Sequence, residues 1–463
     1  MPRTNTASRR ASLAALAAAL SLALASTAAA QSSPEAPHVP AAQVSDSMLS
    51  PPPPPPRQIA SWDDALALIR GQSPDYVSSA GSVARAEAQK RIALAAVLPT
   101  LSGQGSYTHQ FVTETLPLGS GGAAVVVPPA DVLGLGATLS WNLLNPRALY
   151  ALGTADKNVE AARLSFEDRR RAIAFAVVDA MLSTLAASRV ADLDRVGLRA
   201  ALERLALAQA RLAYGQGTAL DIDRATQDVE AARALILSGD ESLLQAREAL
   251  GVALGSPVAI AAPGDLDLEQ FEEAVARTCR PNDDIDRRPD VAAARVRVEA
   301  AQRVVHDAQL MLSPSVGLVS QAAYASAVSL GPLGSWTVQG VLNVPFYDGG
   351  ARYGAVRDAR AALEQATQAL VSARLAAIVG SAQANRAVGV LQSSREVARR
   401  QRDLAERIDG RTRDGYAHGL GTSLDLVTSA QALRQAEISV ALLDFQIGRA
   451  RASAVLSNAE CVY

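Results

Sequence analysis

The chain has 463 residues, of which 49% are hydrophobic but only 4% aromatic. This composition favours long helices that pack closely through small residues over a globule built around large side chains. Its 44 basic and 46 acidic residues are spread along the chain and give a net charge of −2, which excludes the basic stripe that nucleic-acid binding requires.

The first thirty residues have the pattern of a secretory signal peptide. Three arginines precede the apolar run "ASLAALAAALSLALAS", and small residues follow it up to Ala30. We therefore assign residues 1–30 to a signal peptide with cleavage after Ala30. Residues 31–60 are rich in Pro, Ser and Ala and include the run "PPPPPP", so we predict a stiff tether and not a domain.

Beyond this tether the sequence changes from a helical pattern to alternation. Residues 61 to about 97 predict two helices, and apolar residues then alternate with small or polar ones at about 99–112 and 132–142. A connection rich in Gly and Pro joins these two stretches. Each stretch is about ten residues long and has an aromatic residue near its end, which is typical of a transmembrane β-strand. No later apolar run is long enough for a membrane-spanning helix, so a membrane part of this chain must consist of strands.

A helical hairpin is predicted after the second strand, at about 146–254. Ala and Leu recur every three or four residues from 146 to about 212, and the stretch "YGQGT" then separates this long helix from a shorter return helix. With the strands, the hairpin makes up a first repeat, which we place at residues 61–258.

The same plan occurs a second time. We place a linker at 259–286, a second repeat at 287–458 and a tail at 459–463. The second repeat has strands at about 313–325 and 335–346 and a hairpin at about 350–458. The corner "GTALD" at 217–221 returns as "GTSLD" at 421–425, which indicates an internal duplication with one tip in each half.

Each copy of the chain thus brings four strands, which cannot close into a barrel alone. An open sheet edge in lipid leaves unpaired backbone groups, so copies must share one barrel. Two copies would give a barrel filled by its own side chains, whereas three give about 12 strands and leave a lumen. We predict a mainly α homotrimer with a shared 12-stranded transmembrane β-barrel, continued by a long helical coiled-coil tunnel.

Several motifs carry a resemblance to a known family. The duplicated plan, "RRPDVAAARVRVEAAQ" at 287–302, "VPFYDGGARYGAV" at 344–356 and the two tip corners resemble the TolC-type outer-membrane efflux protein family over about residues 61–458. "RRPDV" and the later "LSPSVGL" resemble the branch that serves proton-driven multidrug or metal pumps. The resemblance implies a duct through the outer membrane and periplasm, gated at its periplasmic tip and docked there onto an adaptor protein and an inner-membrane pump. The lipid-anchoring Cys common in that branch is missing, so outer-membrane lipid would be contacted through the barrel alone.

The tip corners hold the candidate gate residues. Three copies of Asp221 and Asp425 would crowd carboxylates around the narrowest opening and favour cations. An acid in the first turn of a helix also complements the helix dipole, and the sequence leaves both roles open. The family resemblance adds that Tyr416, Asp221 and Asp223 fall near a Tyr-Asp-Arg network that holds the tip shut.

Small residues form the corners themselves: Gly217, Thr218, Gly421 and Thr422. Their size would let an adaptor approach the backbone closely. Glycine is also an ordinary helix terminator, so a purely structural role explains the same residues.

Aromatic residues on the strands are expected at the bilayer interfaces: Tyr107, Phe111, Trp141, Tyr324, Trp336 and Phe346. Packing in a soluble sandwich is the alternative for them. Cys279 and Cys461 should both lie near mid-height in an oxidising compartment, where a disulfide between them is geometrically feasible. The four histidines are scattered, so the sequence indicates no metal site, cofactor or general base.

The predicted function is that of an outer-membrane exit duct of a tripartite efflux system. Such a duct conducts small molecules such as drugs or metal ions passively and is no enzyme. A duct for type I protein secretion is one alternative. A periplasmic helical adaptor or scaffold without a membrane barrel is another, and it would need no detergent for extraction.

Overall fold

The computed structural model describes residues 44–109, 111–112, 114–118, 123–127, 131–263, 268–281, 284–327, 331–457 and 459–461. The predicted signal peptide and the first part of the tether lie outside the described residues.

Helices make up most of the described chain, and two of them are very long. In chain order the helices are α1 (Trp62–Gln72), α2 (Pro74–Ala95), α3 (Pro146–Ala213), α4 (Ala219–Ala253), α5 (Leu268–Thr278), α6 (Pro289–Gln309), α7 (Ala351–Ala417) and α8 (Ser423–Ser457). The strands are β1 (Arg57–Gln58), β2 (Thr100–His109), β3 (Glu114–Leu118), β4 (Ala123–Val127), β5 (Asp131–Leu144), β6 (Ile260–Ala261), β7 (Cys279–Pro281), β8 (Ser315–Ala327), β9 (Gly331–Asn343) and β10 (Ala459–Cys461).

The long helices begin and end at recognisable signals. Helix α3 has 68 residues and spans about 100 Å at 1.5 Å per residue. The side chain of Asn145 caps it by accepting a hydrogen bond of 3.1 Å from the Ala148 amide, and Pro146 at its first position needs no amide partner. Helix α7 has 67 residues, and the Asp348 carboxylate accepts a 2.8 Å bond from the Arg352 amide in its first turn.

Four helices lie side by side at each level of the molecule. Towards the tips, α4 packs on α3, α3 on α8, and α8 on α7. Towards the strands, α2 packs on α3, α3 on α6, and α6 on α7. The long helices α3 and α7 therefore run through both levels, and the shorter helices fill the remaining places above and below mid-height.

The largest hydrophobic core lies at mid-height, where the short elements surround the middle of α3. Val177, Val178 and Met181 of α3 are fully buried there, together with residues of α1, α5 and the ends of α4 and α8. The α3 helix also contains an 18-residue stretch with a mean hydropathy of 1.6, apolar enough to pass for a membrane span by length and composition. The sequence-based expectation of no such run was therefore wrong, because the mid-height core needs an apolar stretch of similar length.

A disulfide joins Cys279 to Cys461 inside this core. The two cysteines are opposite each other in the antiparallel pair of β7 and β10. The bond ties the segment between the two halves to the end of α8, and it closes a loop of 182 residues that contains the whole second hairpin.

One end of the molecule is an antiparallel sheet with strand order β2-β5-β8-β9. The strands pair in register over nearly their full length, for example Thr100 with Ser140 and Ser315 with Asn343. The predicted fold class, mainly helical with four such strands in each chain, is confirmed. In the Gly- and Pro-rich connection, β3 and β4 form a separate hairpin, which the sequence pattern did not indicate.

The described part of the predicted tether, residues 44–60, lies against the first helical hairpin. The Asp46 carboxylate pairs with Arg233 of α4 at 2.7 Å, and Met48 and Leu49 pack on the apolar cluster between α3 and α4. Further along, Ile59 is only 2% exposed. The polyproline run therefore connects two docked points, because Met48 and Leu49 before it are half-buried and Ile59 after it is buried.

Candidate functional site

The two tip corners have the same backbone geometry. Helix α3 ends before Gly215 and helix α7 before Gly419, and these glycines have φ angles of 71° and 76°. This left-handed conformation is strained for any residue with a Cβ atom. The glycines that reverse the chain are thus the first ones of "YGQG" and "HGLG", whereas the sequence analysis had selected the second ones.

The second glycines have a different role, which is close packing on their own helix. A Cβ atom on Gly217 would lie 3.0 Å from the backbone nitrogen of Leu212, and one on Gly421 would lie 3.3 Å from that of Tyr416. The absence of a side chain at these positions is therefore explained by contacts within the hairpin. Contact of either glycine with an adaptor stays a prediction.

Each corner is followed by a helix capped in the same way. In the first corner, the Asp221 carboxylate accepts bonds from the Thr218 amide at 2.9 Å and from its hydroxyl at 2.8 Å. In the second, the Asp425 carboxylate accepts from the Thr422 amide at 3.2 Å and from its hydroxyl at 2.7 Å. Reciprocal bonds run from both aspartate amides to the threonine oxygens, so each pair is a capping box.

These bonds favour the charged form of both carboxylates. The Thr422 hydroxyl, with its amide, lowers the pKa of Asp425. For Asp221 the largest cause of a lowered pKa is a hydrogen bond from Ser423 of the other hairpin, to which Thr218 adds. Both acids therefore carry a negative charge at neutral pH while they cap their helices, so capping does not compete with an electrostatic role.

The two hairpins of the chain are joined at the tips by Arg211. Its guanidinium, at the end of α3, donates to the backbone carbonyl of Tyr416 near the end of α7. The same guanidinium lies 4.3 Å from the centre of the Tyr416 ring, which is within cation–π range. Burial of Tyr416 raises the pKa of its hydroxyl, Arg211 opposes this, and Asp221 adds to it.

A second link between the hairpins runs through Ser423. The Arg224 guanidinium donates to the Ser423 hydroxyl at 3.3 Å, and Ser423 in turn bonds Asp221. Asp223 lies on the exposed face of α4, and within the described part of the chain no contact joins it to the second hairpin. Tyr416 and Asp221 therefore lie beside Arg211 and Ser423, which the sequence pattern did not indicate, and a latch formed by these groups stays a prediction.

Two buried carboxylates brace the hairpins farther from the tips. Asp228 of α4 accepts from Arg204 of α3 at 3.1 Å and from Gln431 of α8 at 3.1 Å. Asp409 of α7, 2% exposed, accepts from the Ser429 hydroxyl of α8 at 3.1 Å. The sequence offered one signal for these residues, since acids on the buried face of an amphipathic helix are expected only where they have partners.

The sheet at the opposite end has two faces of different chemistry. Paired residues share a face, and the register places Leu101, Leu139, Trp141, Leu318 and Leu342 on one side. Hydroxyl and amide side chains predominate on the other side: Thr100, Ser102, Gln104, Thr138, Ser140, Gln321, Thr337 and Gln339. This side also carries Val319, Leu333 and Val341. Both faces are exposed in the single chain, so the sheet has neither a core of its own nor a covering layer.

The six predicted interface aromatics lie on or beside the apolar face. Their exposed fractions are 68% for Tyr107, 84% for Phe111, 42% for Trp141, 43% for Tyr324, 77% for Trp336 and 89% for Phe346. Tyr107 and Tyr324 lie towards the end of the sheet far from the helices, Trp336 lies near the middle of the sheet, and Trp141 and Phe346 lie towards the helices. Indole and phenol groups find partners nearby, as in the 2.9 Å bond from Trp336 to the Ser320 hydroxyl.

The described residues contain no group of three or more His, Cys, Asp or Glu side chains that could hold a metal ion. Both cysteines are used in the disulfide. The polar groups of the tips are arranged around helix ends and between helices, an arrangement that stabilises a conformation and does not surround a substrate.

Comparison with known proteins agrees with this geometry. The family model described as "Outer membrane efflux protein" matches residues 65–256 and 281–457. The toluene efflux pump outer membrane protein TtgC of Pseudomonas putida is 27% identical over 277 residues, which are 57% of this chain and 55% of that protein. The chain thus matches a little over half the length of that relative. The pyoverdine export outer membrane protein OpmQ of Pseudomonas putida is 25% identical over 86% of this chain and 85% of its own length.

A solved structure shares the fold. A membrane protein from Pseudomonas aeruginosa superposes with a TM-score of 0.73 at 22% identity, covering 89% of this chain and 100% of its own. With the family model matched along both halves, the resemblance found in the sequence is confirmed, and the chain belongs to the outer membrane efflux protein family.

Proposed function

We propose that this chain is the exit duct of a tripartite efflux system. In this role it forms an outer-membrane channel, extending into the periplasm, that passively conducts small molecules such as drugs or metal ions to the exterior. The observation that carries the proposal is the two-faced sheet at the end of four long helical layers that lie side by side. One face suits lipid, the other suits water, and no bond chemistry is needed for a conduit.

The sheet edges support a homotrimer. Strands β2 and β9 are the edges of the four-stranded sheet, and an unpaired edge in lipid costs several kcal/mol for each unsatisfied backbone group. Copies that pair β9 of one with β2 of the next remove both edges. Three copies make a barrel of about 12 strands, whereas two would make one of about eight strands, whose interior its own side chains can fill.

The aromatic residues set the depth of this barrel in the membrane. The outer belt of Tyr107 and Tyr324 and the inner belt of Trp141 and Phe346 would lie at the two lipid–water interfaces. The lumen would be lined mainly by neutral hydroxyl and amide groups, with a few aliphatic side chains and no charged ones among the described residues of this face. A lining of this kind presents little charge selectivity, so we place selectivity at the other end of the duct.

The hairpin tips act as the gate in this proposal. Three copies of Asp221 and Asp425 place six ionised carboxylates around the periplasmic opening, which attracts cations and repels anions. Opening requires the hairpins to move apart, and the Arg211 and Ser423 links oppose that movement. An adaptor that binds the tips would offset the loss of these contacts, and an inner-membrane pump would supply the cargo.

Ion selectivity in planar bilayers tests the proposal. Detergent-purified protein should give discrete conductance steps with a preference for cations. Replacement of Asp221 and Asp425 by Ala should reduce that preference and leave the barrel conductance intact. If the double variant keeps the full cation preference, the tip carboxylates are not the constriction, and if the wild type gives no conductance under any condition the duct itself is refuted.

A further inference from the structure

Helix α4 carries a straight line of acidic side chains on its exposed face. Asp223, Glu230, Glu241 and Glu248 are all exposed, and their spacings of 7, 11 and 7 residues keep them within about 20° of one line at 100° per residue. The line lies opposite the buried residues through which α4 packs on α3. The helix as a whole has seven acidic and three basic residues, a net charge of −4.

Helix α7 carries the opposite charge on its own outward face. Arg386, Arg400, Arg407 and Arg411 are all exposed and lie within about 60° of one line. This face is turned away from the α7 residues that are buried against the rest of the chain. Helix α7 has twelve basic and seven acidic residues, a net charge of +5.

Apolar side chains lie between these charges on both helices. Leu237 of α4 is 64% exposed, and Val397 and Leu404 of α7 are 55% and 52% exposed. A solvated charged face has no need of large apolar residues at regular intervals. Their presence on both stripes favours contact with protein over contact with water.

The order of the helices places the two stripes at opposite edges of one chain's tip region. The order is α4, α3, α8, α7, so α4 and α7 are the outermost helices. When copies are arranged in a ring, α7 of one copy meets α4 of the next, and the contact is heterologous. Rotation about the ring axis leaves heights unchanged, so the charges must also agree in distance from the tip.

Their heights agree. Counted from the start of α4 at 1.5 Å per residue, the acids lie at about 6, 17, 33 and 44 Å. Counted from the end of α7, Arg411, Arg407, Arg400 and Arg386 lie at about 9, 15, 26 and 47 Å. These differences are within the combined reach of an Arg and an acidic side chain.

We propose that α7 and α4 of neighbouring copies form a seam held in register by a ladder of four ion pairs. The pairs are Arg411 with Asp223, Arg407 with Glu230, Arg400 with Glu241, and Arg386 with Glu248. The occupant of each stripe is a second copy of this chain, and the inference rests on the proposed trimeric duct. Ion pairs would thus join neighbouring copies in the tip half, whereas backbone hydrogen bonds between strands would join them in the barrel.

The contacts within one chain leave these stripes available. The N-terminal segment docks on Arg233 and on Arg247, about 60–120° around α4 from the acidic line. Glu230 also pairs with Arg233 and Arg400 with Glu396, whereas no contact among the described residues involves Arg386 or Glu248. The Arg386–Glu248 pair is therefore the cleanest to test.

Cysteine cross-linking tests the register. The variant carrying Arg386→Cys and Glu248→Cys should give covalent trimers after mild oxidation, visible on a non-reducing denaturing gel. The control variant Arg386→Cys with Asp223→Cys separates the two thiols by about 40 Å along the axis and should stay monomeric on the same gel. The native cysteines are already bonded to each other and buried.

Light scattering of the same detergent-solubilised samples separates the seam from the trimer. A trimeric particle whose matched pair does not cross-link would overturn the seam and leave the duct in place. A particle that is not trimeric would overturn both.

Charge reversal gives an independent readout. Arg386→Glu should lower the temperature at which the trimer dissociates, because it faces Glu248 of the next copy. Adding Glu248→Arg should restore that temperature, and Arg399→Glu, which is exposed on the same helix about 140° around it from Arg386, should leave it unchanged. Equal effects of Arg386→Glu and Arg399→Glu, or no recovery in the double variant, would overturn the proposal.

Discussion

Replacement of Arg211 by Ala should loosen the tips of the duct. The side chain makes a charged hydrogen bond to the Tyr416 carbonyl and lies 4.3 Å from its ring centre. A hydrogen bond from a charged donor contributes about 1.5–3 kcal/mol, and a cation–π contact at a partly exposed site about 0.5–1 kcal/mol. After a reduction for exposure, about 2 kcal/mol is lost in each chain, which is a factor of about 30 in the balance between closed and open tips.

Single-channel recording in planar bilayers measures this change. The Arg211→Ala channel should show a larger conductance or longer open times than the wild type. Tyr416→Phe keeps both the ring and the carbonyl and should produce a smaller effect than Arg211→Ala. The matched control is Arg199→Ala, because Arg199 is exposed on the same helix and no contact among the described residues involves its side chain.

Arg211→Ala channels that behave like Arg199→Ala channels would show that Arg211 does not hold the tips together. A full effect of Tyr416→Phe would show that the tyrosine hydroxyl, and not the ring face, joins the hairpins.

Three further predictions concern charge, covalent bonding and the N-terminal segment. Hydrogen bonds lower the pKa of Asp221 and Asp425 below the ordinary 3.8, so most of their charge is retained as the pH falls to that value. The cation preference in bilayers should therefore persist at pH 4, and its loss near pH 5 would contradict this prediction. Cys279→Ser should lower the free energy of unfolding by up to about 5 kcal/mol for so long a loop, measured as a lower denaturant midpoint, and an unchanged midpoint would show that the bond does not brace the core. Asp46→Ala removes the partner of Arg233 and should expose the N-terminal segment to limited proteolysis, whereas equal cleavage of variant and wild type would mean that the segment is not held there.

The broad architecture followed from the sequence because it rests on periodicity. The change from a repeat of 3.6 residues to a repeat of 2 marked the strands, and the twice-used "GT-x-LD" corner marked the two tips. Both signals are local in sequence, and the capping boxes of Asp221 and Asp425 are formed by residues three positions apart.

The links between hairpins could not be predicted in the same way. Arg211 and Tyr416 are 205 positions apart, and Ser423 is an unremarkable residue until α8 is placed beside Asp221. The repeated corner identified the two tip aspartates and the family resemblance identified Tyr416, but the sequence could not show which arginine lies beside that tyrosine. The docking of residues 44–60 was missed because two or three apolar residues in a Pro-rich segment give no periodic signal.

The central claim is that this chain forms a water-filled path across a membrane. Swelling of proteoliposomes in an isotonic solution of a small neutral sugar measures such a path directly. Liposomes carrying the Arg211→Ala protein should swell faster than those carrying the wild type, and both faster than protein-free liposomes. Swelling at the protein-free rate for both proteins, in vesicles shown to contain them as detergent-extractable oligomers, would contradict the account.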